Sequence, residues 1–132
     1  MTQHSMYVPE GIPETDRDRY FATMTAILNK RRPAILEVRC KSGGHLLIGV
    51  YSTQWGDLAV SKLRAPTRKM RGFPAAGRTT DRGEVSGVLL AERDRIRADC
   101  RCGARYPVET ATVRAWIAEA RRSTKQPVVR MV

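Results

Sequence analysis

The sequence predicts an α+β fold: a small antiparallel sheet clasped by a cluster of Cys and His, with an N-terminal and a C-terminal helix. Three observations predict it. Apolar residues recur at helical spacing near each end, short runs of Ile, Leu and Val broken by glycine turns fill the middle, and Cys and His fall in two short groups that a sheet could bring together. With 132 residues the chain has the size of one domain, and 42% hydrophobic against 28% charged residues is too apolar a balance for general disorder. No run in the sequence approaches the roughly 20 apolar residues that a membrane-spanning helix needs.

Residues 1–14 carry Pro9 and Pro13 and no apolar block, so they read as a flexible leader to a single domain over residues 15–132. They lack the basic start and apolar stretch of an export signal, which makes the cytoplasm the expected compartment. Thr15 followed by Asp18 resembles a capping box, and Tyr20, Phe21, Met24, Ile27 and Leu28 keep helical spacing until Pro33 forbids continuation. A helix is therefore expected over residues 16–30. Residues 34–40 and 46–51 flank the turn at 41–44 as a hairpin, and residues 56–63 add a third strand after the turn at 54–57. Residues 84–91 and 94–99 read as a second hairpin. Val113, Trp116, Ile117 and Ala120 stand at i, i+3, i+4 and i+7, with Pro107 and Thr110 as start signals, and Arg121, Arg122 and Lys125 suit the dipole at the end of that helix. Val128, Val129, Met131 and Val132 favour a short closing strand.

Cys40, His45, Cys100 and Cys102 are the candidate chemistry. A tetrahedral zinc site needs four thiolate or imidazole donors at about 2.0 to 2.3 Å, usually delivered as two short pairs, each at a turn. The first pair is Cys-Lys-Ser-Gly-Gly-His, where Gly43 and Gly44 permit the positive φ angles that fold a turn back on itself. The second is Cys-Arg-Cys-Gly, where Gly103 can close a knuckle. All three cysteines of the chain are then used, as structural zinc ligands. The competing readings are a buried core Cys40 with an incidental His45, and a redox Cys-x-Cys pair; the second leaves Cys40 and the Gly-Gly-His turn without a role.

The runs Leu36-Glu37-Val38-Arg39-Cys40 and Gly44-His45-Leu46-Leu47-Ile48-Gly49-Val50, with Cys100-Arg101-Cys102-Gly103 and a basic, Trp-containing helix behind them, resemble small zinc-ribbon-type proteins of actinobacteria and their phages. The resemblance spans roughly residues 34–122. It implies a metal-clasped β-sheet and the same four ligands, and it implies no activity. Arginine outnumbers lysine 19 to 5, which agrees with a GC-rich source.

Charge supplies the functional expectation. The chain carries a formal +11, but residues 1–29 hold four acids and two bases, so the remaining residues hold +13. A basic loop at about 62–83 presents Lys62, Arg64, Arg68, Lys69, Arg71, Arg78 and Arg82, and a C-terminal group presents Arg101, Arg105, Arg114, Arg121, Arg122 and Lys125. Such surfaces bind phosphates by releasing counterions, with an aromatic such as Trp55 or Tyr106 available to stack on bases. The expected function is therefore a small zinc-binding protein that binds nucleic acid, DNA or RNA; the alternative is an adaptor or inhibitor docking on an acidic protein, such as a transcription or replication component. Trp116 is expected in the core. No His-Glu-x-x-His, Gly-x-Ser-x-Gly or phosphate-binding glycine motif occurs, and His4 is the one histidine outside the ligand set, so no enzyme is expected.

Overall fold

The computed structural model describes residues 8–63, 84–100, 102–103 and 105–132, with backbone alone for residues 62, 63, 84 and 85. The fold is α+β, as the sequence predicts; the described residues form a five-stranded mixed sheet, a separate two-stranded sheet and two α-helices. No helix among the described residues is long and apolar enough to cross a membrane.

Helix α1, Arg17–Leu28, follows a 3-10 turn at Glu14–Asp16. The capping box does not form, because Thr15 lies inside that turn and the N-cap falls on Asp16, whose carboxylate instead accepts the Trp55 indole N–H at 3.0 Å. The helix ends before Lys30, which takes a positive φ of 59° and turns the chain toward the sheet. Ile12 is buried although the segment around it reads as leader: Pro9 and Ile12 form a turn that tucks this one apolar side chain under α1.

Strands β1 (Leu36–Arg39), β2 (Leu46–Thr53), β3 (Gly56–Leu63) and β4 (Glu84–Leu89) run antiparallel to their neighbours, and β7 (Val128–Met131) joins the far side of β1 in parallel. The sheet order is β4-β3-β2-β1-β7. The expected second hairpin is re-paired. A 3-10 turn at Leu90–Glu92 carries the chain off the first sheet, so β5 (Arg95–Asp99) pairs with β6 (Arg105–Glu109) and not with β4. Pro107, expected to start a helix, sits within β6 opposite Arg97; helix α2 (Thr110–Arg121) begins three residues later. Thr110 anchors that start, its hydroxyl donating to the Arg93 carbonyl at 2.7 Å and its amide to that of Asp94 at 2.9 Å.

Alternation along the strands divides the apolar residues between two cores on opposite faces of the large sheet. Leu36, Val38, Leu47, Ile48, Val50 and Ala59 pack against Ile96, Ala98 and Val108 of the small sheet and Val113 and Ile117 of α2. Trp116 packs at the edge of this cluster, as expected. On the other face, Tyr20, Met24 and Ile27 of α1 cover Tyr51, Leu58 and Leu89. The first core ends at Cys40 and Cys100, and this junction of the two sheets is where the candidate site forms.

Candidate metal centre

Cys40 leaves β1 just after a β-bulge between Val38 and Arg39, which leaves Leu47 without an opposite residue and turns the strand end toward the small sheet. Its amide donates to the His45 carbonyl at 3.0 Å, and the Gly44 amide donates to the Cys40 carbonyl at 2.9 Å, closing a tight loop. Arg39 holds the loop from outside: Nη1 donates to the Gly44 carbonyl at 2.7 Å, while Nε and Nη2 hold Glu37 at 3.0 and 2.9 Å. The two glycines have different jobs. Gly44 takes the positive φ, 67°, whereas Gly43 makes room: a Cβ there would stand 2.5 Å from His45 Cε1 and 2.9 Å from Nδ1. Cys100 and Cys102 form the second arm between β5 and β6, closed by the Gly103 amide on the Cys100 carbonyl at 2.9 Å with Gly103 at φ 105°.

The four expected ligands converge. One donor atom from each of Cys40, His45, Cys100 and Cys102 lies within 4.8 Å of every other, and none of the three cysteines forms a disulfide. His45 Nδ1 stands 3.4 Å from both Cys40 Sγ and Cys100 Sγ. An ion with tetrahedral bonds of ordinary zinc length would separate a sulfur from a nitrogen ligand by about 3.6 Å, close to both of these distances. Cys40 and Cys100 are buried and Cys102 is exposed, which places the group at the surface end of the core.

The thiols are electrostatically unequal. Burial pushes the Cys40 thiol up, but amide hydrogen bonds from His45 and Gly43, the Ser42 hydroxyl and the Cys100 thiol outweigh it and bring it down to about 5. Burial carries Cys100 up to about 11; the Cys102 amide opposes this, while the neighbouring thiols and the Cys102 charge add to it. Ionising all three thiols side by side would set like charges against one another, and a divalent cation would relieve that repulsion. Tyr106 faces the same negative group: burial and then the charges of Cys102, Cys40 and Cys100 raise its hydroxyl pKa. Ser42, which no sequence motif marks, lies 3.7 Å from both Cys40 Sγ and Cys102 Sγ.

The expected cationic contact residues are spread out. Lys62 is in β3, and its side chain lies outside the described residues, as do Arg64, Arg68, Lys69, Arg71, Arg78, Arg82 and Arg101. Arg105 is exposed opposite Asp99. Arg114 donates to the Leu90 carbonyl, Arg121 pairs with Asp57 at 2.5 Å, and Arg122 and Lys125 are exposed. Trp55 is not a free stacking platform, since its N–H is tied to Asp16 and its ring stands edge-on to Tyr20 at 6.1 Å; Tyr106 packs against the core. No family model, curated protein or solved structure matches this chain.

Proposed function

We propose that the protein is a zinc-clasped, non-enzymatic module that binds nucleic acid, in keeping with the zinc-ribbon-type resemblance. The observation that carries the zinc half is the convergence of three thiols and His45 Nδ1 from two sequence-distant turns. Four protein donors would complete a tetrahedral shell and leave no position for substrate, the arrangement of structural zinc. Bound there, the ion would tie the β1–β2 turn to the β5–β6 turn and so join the two sheets. The nucleic-acid half rests on the +11 charge, which favours a polyanion.

A salt series tests the second half. Affinity for duplex DNA is expected to fall with a log–log slope of about 0.9 per phosphate contacted. Absence of binding to duplex DNA, single-stranded DNA and single-stranded RNA at low salt would sink it. The adaptor reading has one observation in its favour: Val129 and Met131, 47% and 45% exposed, lie on the edge strand β7. Such an edge can accept a partner's strand, and binding there would survive high salt.

A further inference from the structure

The topology gathers cations from two separate segments at the end of the large sheet opposite the metal centre. Lys30, Arg31 and Arg32 follow α1 and lead into β1. Arg32 reaches across to the Ser52 carbonyl at the end of β2, and Ser52 is paired with Asp57 at the start of β3. Arg121 at the end of α2 meets that same Asp57, which brings Arg121 and Arg122 to the same end. The connection from α2 to β7 then passes Lys125 and returns alongside Ile35, whose carbonyl accepts the Val128 amide at 3.0 Å. The four-residue β1, about 13 Å long, separates this end from Cys40.

Asp57 is engaged by Arg121 and Glu119 by Arg130. Lys30, Arg31, Arg122 and Lys125 are exposed, and no described side chain pairs with them. The exposed large apolar residues near them are Leu28 and, at the start of β7, Val129, too little for the apolar centre of a protein–protein interface, whereas phosphate contacts require charge alone. We infer that Lys30, Arg31, Arg122 and Lys125 form a contact surface for the phosphate backbone of nucleic acid, on the opposite end of the sheet from the metal centre. The inference rests on the nucleic-acid reading above and adds to it two residues, Lys30 and Arg31, that no sequence motif marks; the metal then serves the fold and not the contact.

The test compares two variants with equal loss of charge. Arg31→Gln with Arg122→Gln removes two cations from the proposed surface. Arg93→Gln with Arg95→Gln removes two from the start of the small sheet, beyond the N-terminal end of α2. Binding of a short duplex DNA, the matching single strand and a single-stranded RNA is followed over a salt series, with zinc content and thermal midpoint confirming that each variant folds. The first variant is expected to lower the salt slope on duplex by about 1.8 and the low-salt affinity at least tenfold, the second to change either much less. Equal losses in both variants, or no loss in the first while wild type binds, overturn the surface and leave the nucleic-acid reading standing. Wild type that binds none of the three probes overturns both. Tighter binding to polyglutamate than to any nucleic acid, lost in the first variant, assigns the surface to acidic protein and overturns the inference.

Discussion

Gly43→Ala probes the metal centre through one steric contact. The added methyl would sit 2.5 Å from His45 Cε1, where ordinary contact begins near 3.4 Å, so the ring must recede by about 0.9 Å. Cε1 is bonded to Nδ1, the atom that faces both sulfurs, and a displacement of that size is large beside a metal–nitrogen bond of about 2.0 to 2.1 Å. Gly43 does not have a positive φ, so alanine adds no backbone strain and the damage is confined to the ligand. Losing the orientation of a metal-bound imidazole typically weakens metal affinity by about tenfold to a hundredfold. Gly44→Ala is the counterpart: its Cβ meets nothing within 4 Å, but φ is 67°. Its cost is backbone strain of about 1 kcal/mol, which corresponds to about fivefold in affinity. Competitive titration with a chromophoric zinc chelator, alongside melting of the metal-free and zinc-loaded proteins, separates the two. Wild-type affinity in Gly43→Ala would refute the ligand geometry.

Other expectations follow from the second core and the exposed thiol. Tyr20 is fully buried, its hydroxyl has no hydrogen-bond partner among the described residues, and burial pushes its pKa up to about 12 from 10.0. A raised folded-state pKa gives a contribution that is complete below pH 10 and is lost as pH rises toward 12, about 2 to 3 kcal/mol in all, so urea melts of Tyr20→Phe should lack that alkaline decline. Gly87→Ala would place a methyl 2.3 Å from the Tyr20 hydroxyl oxygen and 3.5 Å from its Cζ. It should destabilise wild type by about 1 to 3 kcal/mol and the Tyr20→Phe protein by less than 1, a coupling that a double-mutant cycle of denaturant midpoints reads directly. Cys102→Ser removes the exposed donor and should lower zinc affinity while leaving the buried core intact, checked by metal content and by the melting of the metal-free protein.

The elements legible in the sequence are those with a strong local period. β2, β3 and α2 form close to where alternation and the Val113–Ala120 spacing place them, and the four candidate ligands are recognisable because each pair carries its own glycine turn. Non-local pairing left no such mark. Nothing in residues 128–131 announces that they run parallel to β1, and β5 looks like the natural partner of β4 until the Leu90–Glu92 turn separates them. Pro107 is ambiguous because a proline that opens helices also fits a strand where its nitrogen need not donate. Trp55 looked available because its tie to Asp16 spans 39 residues, and the cations at the sheet end are scattered in sequence and meet only through topology.

The central claim is that Cys40, His45, Cys100 and Cys102 together hold one zinc ion. X-ray absorption at the zinc edge on protein purified without added metal tests it most directly. The expected spectrum is one zinc per chain with three sulfur neighbours near 2.3 Å and one nitrogen near 2.0 to 2.1 Å, the nitrogen lost in His45→Ala. A shell with fewer than three sulfurs, or a wild-type shell in the Cys102→Ser protein, would contradict it.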